Sequence, residues 1–385
     1  MSAAGLQQSA REGHQIQPEQ ARPTKAPSVA SHRLIGFLNG LSGVPPLSHL
    51  VDRRYGGKGL AVMLHRIVPS ASDHLYQDIC FETKALDGVL SYCRRERIDI
   101  VTMDEALVRL CDEDDHRRFV VFTFDDGYRD NLSHALPLFE RHAAPFSVYV
   151  TSGMIERTLN YWWEGLKLLV RRNASVHFDS LRLTLASRTF KEKCAALRVM
   201  TRWVEDDVTD RRALLAPTFD RHDIRPQDLL DQDALSAEEL RTLAQSPLVT
   251  IGGHTETHRP LSGLDERAVR TEICGNRNFL VEVTGQEVAH FSYPHGDPKS
   301  CGPRDAEIVK ASGFRSGLST RKGSLFADHG EAPFLLPRGS LNPNRNAVSD
   351  LAAQKRGAHR CLTSRGGQPI MADTIQVKAR KSHHF

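Results

Sequence analysis

The chain of 385 residues is short of several features that mark whole classes of protein. It has no C-x-x-C pair. Its seven cysteines, at 80, 93, 111, 194, 274, 301 and 361, are scattered and odd in number. That excludes a disulfide framework and a cysteine-based zinc module. Reduced, buried thiols in a reducing compartment, the cytoplasm, are expected instead. Long apolar runs are also missing. The stretch Leu34 to Leu50 holds little charge, but Gly36, Gly40, Gly43, Pro45 and Pro46 interrupt it, and it is too short to span a bilayer. It reads as a helix packed on the domain or as an interfacial helix at Leu34–Leu38, which leaves peripheral membrane association open. No apolar segment follows a basic start in the first 33 residues, so no secretory signal is read. A strong charge of one sign is lacking too. The formal net charge is +4, yet residues 351–385 hold seven Lys/Arg against one Asp, so the rest of the chain is near neutral. That argues against nucleic acid as the main partner.

What is present fits one large α/β domain with extensions. Residues 1–33 are polar and read as a disordered arm, and 34–58 as a lead-in segment. From residue 59, short apolar runs alternate with amphipathic stretches. Leu60-Ala61-Val62-Met63-Leu64 is a buried-strand pattern. Leu86, Val89, Leu90 and Cys93 follow at helical spacing within Thr83 to Arg97. Ile98 to Val101, Phe119 to Phe124 and Phe146 to Val150 are further strands, separated by helices at Met103 to Leu110 and at 131–142, the latter around Pro137. Such alternation predicts parallel β/α units. Residues 156–235 break the rhythm with a charged, mostly helical pattern opened by Tyr161-Trp162-Trp163-Glu164, and read as an inserted subdomain. A capping box at Ser236-Ala237-Glu238-Glu239 starts the next helix. The β/α pattern then runs to about 350, with Gly313 placed as a helix C-cap. The basic tail, 351–385, lacks apolar periodicity and is expected to be poorly ordered.

Two runs carry chemistry. Thr123-Phe124-Asp125-Asp126-Gly127 puts adjacent carboxylates at the end of a strand. His254-Thr255-Glu256-Thr257-His258 puts two imidazoles four residues apart after another strand-like run, Leu248 to Ile251. In parallel β/α proteins, functional groups gather beyond the carboxyl ends of strands. An imidazole pair with one carboxylate suits zinc or a similar divalent ion and leaves coordination positions open for water and substrate. The second carboxylate is then free to act as a base. Asp-Asp-Gly by itself is also a common turn or helix-cap sequence, and H-x-x-x-H is common in a chain with 18 histidines. Their conjunction is what makes each informative.

Together the two runs resemble those of the polysaccharide deacetylase family, metal-dependent carbohydrate esterases that include chitooligosaccharide deacetylases. The resemblance spans about Leu60 to Asn342. It implies an irregular (β/α) barrel, here with the inserted helical subdomain. It implies Asp125 as base, with Asp126, His254 and His258 as ligands of a divalent metal, most often Zn2+. A third family motif, Arg-x-Pro-Tyr-Gly-like, has its nearest counterpart in Phe291-Ser292-Tyr293-Pro294-His295-Gly296. Pro and Gly match, Ser292 replaces the arginine, and the His295 backbone N–H is placed to face an oxyanion. Arg338 is one substitute for the arginine; a plain surface arginine is the other reading. The Leu-x-His motif that supplies a general acid is absent. His329 reads as exposed. His65, after the first strand in Leu64-His65-Arg66, reads either as that acid or as a structural histidine. The implied reaction is removal of N-acetyl groups from N-acetylhexosamine units of a polysaccharide or chitooligosaccharide. O-deacetylation, another amide hydrolysis, and glycan binding without catalysis are the alternatives.

Overall fold

Strand Phe119–Asp126 is buried at all eight positions, as befits a strand covered on both faces inside parallel β/α architecture. The computed structural model describes residues 45–70, 75, 79–205, 211–342, 346–364 and 366–375. The expected arm at 1–33 and the first part of the lead-in lie outside the described residues. In chain order the strands are β1 (Gly59–Leu64), β2 (Arg66–Val68), β3 (Cys80–Glu82), β4 (Asp99–Ile100), β5 (Phe119–Asp126) and β6 (Phe146–Val150). They continue as β7 (Ser175–Phe178), β8 (Leu183–Ala186), β9 (Val249–Gly253), β10 (His290–Ser292), β11 (Ser316–Lys322) and β12 (Leu336–Ser340).

Seven of these strands close a parallel barrel in the order β1-β5-β6-β9-β10-β11-β12 and back to β1. Closure rests on β1, which pairs with β5 from Gly59↔Phe119 to Leu64↔Phe124 and with β12 through Val62↔Gly339 and Met63↔Ser340. β4 is a short flank on the opening residues of β5. Helices surround the barrel, as the (β/α) pattern requires. Asp126 is level with Val150, and Val150 with Gly253. The carboxyl rim therefore presents Asp126 beside the residue that follows β9, His254. Gly252 is needed at this seam, because a Cβ there would come 2.4 Å from the Tyr149 ring.

The helices form where the periodicity places them. Thr83–Arg95 buries Leu86, Val89, Leu90 and Cys93, and the capping box at Ser236 and Glu239 starts Ala237–Ala244. The stretch around Pro137 is not one regular helix. A wide, π-type turn at Asn131–Ala135 precedes the helix Leu136–His142, with Pro137 in its first turn. Proline has no N–H for the preceding turn and is tolerated at a helix start.

Residues 156–235 contain helices Trp162–Arg172, Phe190–Glu205, Ala216–Arg221 and Pro226–Asp233. They also contain an antiparallel hairpin of β7 and β8 that the sequence reading did not include. This segment has an apolar cluster of its own, including Leu166, Leu169, Phe178, Leu197, Met200 and Phe219.

The tail needs correcting. Residues 351–364 and 366–375 are not a structureless extension, and 376–385 lie outside the described residues. Helix Ala347–Lys355 buries Ala347 and Leu351, helix Ala358–Thr363 follows, and Thr374 is 1% exposed. Few apolar residues do this docking, so no periodicity advertises it. Polar contacts carry much of the rest, such as Gln354 Nε2 to Ser340 O at 2.8 Å. His329 is also corrected: it is 1% exposed, with Nε2 3.1 Å from Thr374 Oγ1. The tail turn packed beside it could not be read from the local sequence.

Candidate metal centre and active site

Asp126, His254 and His258 each offer one ligand atom, and these atoms all lie within 4.8 Å of one another. Asp126 Oδ1 is 3.2 Å from His258 Nε2 and 3.4 Å from His254 Nε2. His254 Nδ1 donates to Ser292 O at 2.6 Å. In the neutral ring that bond places the proton on Nδ1 and leaves Nε2 a lone pair aimed toward Asp126, the arrangement a metal-ligating histidine adopts. Asp126 Oδ1 is buried and makes no hydrogen bond. A buried carboxylate oxygen facing imidazole nitrogens without a bridging hydrogen is the environment a divalent cation satisfies. The residues present therefore fit such an ion.

The backbone is bent to build this. Asp126, Thr255, His258 and His295 all have positive φ, at 79°, 65°, 54° and 59°. Non-glycine residues adopt that region at a cost and need surrounding structure to hold them there. Helix Glu266–Thr284 supplies the hold for the loop that carries Thr255 and His258. Glu272 Oε2 accepts from Glu256 N and Thr257 N at 3.0 and 2.9 Å. Asn276 Oδ1 accepts from His254 N at 3.0 Å, while its Nδ2 donates to Val150 O and Thr255 O. Sequence reasoning missed both residues. The signal was a pair of polar side chains, four apart, on the helix face that also buries Val269, Ile273 and Leu280.

Asp125, 2% exposed, receives a two-pronged contact from Arg338, which is 1% exposed. Arg338 Nη1 donates to Oδ1 at 2.9 Å and Nη2 to Oδ2 at 2.7 Å. The same guanidinium reaches Thr123 Oγ1, Ser292 Oγ and Ser319 O. Ser292 is thus small and polar where a guanidinium arrives from β12 across the barrel. Of the two readings of Arg338, the surface one is excluded. Burial pushes the Asp125 carboxyl up, but Arg338 and His254 outweigh it and hold it below its ordinary value. Burial also pushes Asp126 up, and the two imidazoles more than reverse this.

His65, Asp125, Asp126, His254, His258 and His295 line one cavity of about 360 Å³, so the barrel brings all six predicted residues together. Burial lowers His65 below the ordinary imidazole range, against the pull of Asp126 and Asp125. His295 is pushed down to about 3 by burial and by His258. Its ring centroid lies 5.1 Å from that of His258, and no described residue accepts from its backbone N–H. The segment 156–235 adds a wall that the sequence reading did not place. Trp163 lies 5.2 Å from the His258 ring and donates from Nε1 to Tyr128 OH at 3.2 Å.

Comparison with known families matches the polysaccharide deacetylase profile to residues 112–315, more than half of the chain. The chain belongs to the polysaccharide deacetylase family. Polysaccharide deacetylases are metal-dependent hydrolases of acetylated glycans, and Asp126, His254 and His258 form a cluster that could hold a metal ion. The matched segment includes Asp125, Asp126, His254, His258 and His295. It stops short of Arg338 and starts after His65. Among solved structures, the chain is similar to the Streptococcus pyogenes deacetylase PplD in complex with acetate, at 15% identity and a TM-score of 0.52, covering 77% of this chain and 97% of that one. It is also similar to IcaB from Ammonifex degensii, at 19% identity and a TM-score of 0.47, covering 78% and 98%. At this identity the likeness to PplD shows the barrel fold alone. No curated protein matches.

Proposed function

We propose that this protein removes N-acetyl groups from N-acetylhexosamine units of a glycan, yielding acetate and a free amine. The observation that carries this reading is the buried Asp125–Arg338 pair next to the Asp126–His254–His258 cluster. One carboxylate is reserved as a base while its neighbour is free for a cation. When bound there, a divalent ion, zinc by its preference for His and Asp donors, supplies Lewis-acid activation of water and of the acetyl carbonyl.

The chain's own residues do the rest. Asp125, held ionised by Arg338, takes a proton from the water as its oxygen forms a bond to the acetyl carbon. The His295 N–H donates to the oxygen on which negative charge develops. His65 enters turnover neutral, because burial holds it low. It takes from Asp125 the proton that came from the water and passes it to the departing nitrogen as the C–N bond breaks, so both groups return to their starting states. Binding without catalysis draws on two eroded motifs, the arginine one and the absent Leu-x-His, and Arg338 supplies the guanidinium of the first from another strand. This favours the enzyme. O-deacetylation uses the same groups but needs less help for its leaving group.

The test is acetate release from chitooligosaccharides, peptidoglycan and an N-acetylated exopolysaccharide, with and without a chelator. Zinc-dependent release from at least one N-acetyl substrate is expected. Release from O-acetyl esters alone would overturn the assignment.

A further inference from the structure

Arg321, on β11, is 4% exposed, yet it carries a full charge. Its guanidinium grips the loop that follows β10. Nη1 donates to Gly296 O at 3.1 Å and lies 3.3 Å from Cys301 Sγ, and Nη2 donates to Cys301 O at 2.9 Å. Thr320, next in the strand, adds a bond from N to Gly296 O at 3.0 Å and one from Oγ1 to His295 O at 2.6 Å. Gly296 has φ of 64°, and a Cβ there would come 2.6 Å from Thr320 N. The loop that presents the His295 N–H is therefore seated directly on β11.

A buried guanidinium is costly unless a carboxylate accompanies it. Among the described residues, Asp373 is the only carboxylate within ion-pair reach of Arg321, with Oδ2 2.6 Å from Nε. Asp373 belongs to the short turn Ala372–Thr374, far along the chain from the barrel. Thr374 in the same turn bonds His329. The tail is thus pinned at two successive residues, one of them on the cation that holds the loop.

We propose that Asp373 is a positioning residue: the C-terminal turn clamps the His295 loop through Arg321. Its catalytic consequence rests on the proposed deacetylase reading; the clamp itself does not. In the full-length protein, Asp373→Ala should speed amide hydrogen exchange across residues 293–301. It should also lower kcat on an N-acetyl substrate about tenfold, short of the ~10²–10³ that complete loss of an oxyanion donor costs. KM and bound zinc should change little. Asp373→Glu, which keeps the charge, should recover both readouts in part. Unchanged exchange, or faster exchange with unchanged kcat, overturns the proposal. If the parent protein releases no acetate from any substrate, the deacetylase reading has failed, and the exchange measurement alone decides whether the tail clamps the loop.

Discussion

At the scale of single residues, the pair Asp125–Arg338 is an ion pair with almost no access to water, 3% and 0% exposed at the side chains. Removing one partner from such a pair leaves an uncompensated buried charge, at a cost of about 3–5 kcal/mol. Arg338→Met should therefore destabilise the protein by roughly that amount. Asp125→Asn should retain zinc while losing ~10²–10⁴ in rate. The double variant should be more stable than Arg338→Met alone, because the stranded carboxylate has gone. Denaturant unfolding of the four proteins checks this, and simple additivity would mean that the pair is not coupled. His65 is open to a different test. If it relays a proton to the leaving amine, His65→Ala should slow amide hydrolysis far more than hydrolysis of an activated aryl acetate, whose leaving group needs little protonation. Equal losses on both substrates would assign it a positioning role.

At the scale of elements, the metal-site loop is shaped by a helix it does not belong to, and the tail turn meets His329 in the same indirect way. His329 accepts from Phe326 N through Nδ1. Burial pushes its pKa down to about 4 from an ordinary 6.5. The unfolded chain therefore binds a proton between these values that the folded chain refuses. Stability should fall as pH drops from 6.5 towards 4 and change no further from this source below it. The gap corresponds to roughly 3 kcal/mol. His329→Gln should flatten that pH dependence. Denaturation midpoints at pH 7 and pH 5 measure it, and an equal slope in the variant would show that His329 is not its source.

At the scale of the whole molecule, barrel closure assembles the site. β1 pairs on one side with the strand that ends in Asp125 and Asp126, and on the other with the strand that carries Arg338. One ion is expected per chain. Zinc that binds only the folded state at 100 times its Kd should add about 2.7 kcal/mol of stability, visible as a higher Tm that a chelator reverses. A His254→Ala/His258→Ala double variant should lose the bound zinc, the Tm gain and the activity together. Stoichiometric zinc in that variant would refute the ligand set.

The sequence by itself determined whatever depends on near neighbours. Strand and helix periods, the Ser236 capping box and the proximity of Asp125 to Asp126 and of His254 to His258 are local, and they sufficed for parallel β/α units and for the two motif runs, whose resemblance to a family implied the barrel. Tertiary structure decided which distant groups complete that site. Ser292 looks like a lost arginine until β12 delivers Arg338 to it. Glu272 and Asn276 look like polar breaks in an apolar helix face until the metal-site loop bonds to them. The tail looks structureless until Asp373 meets Arg321 and Thr374 meets His329. Each is a contact between residues far apart in the chain, made by a buried polar group whose partner no local pattern specifies. Desolvation makes such pairing obligatory, and only the closed barrel says with whom.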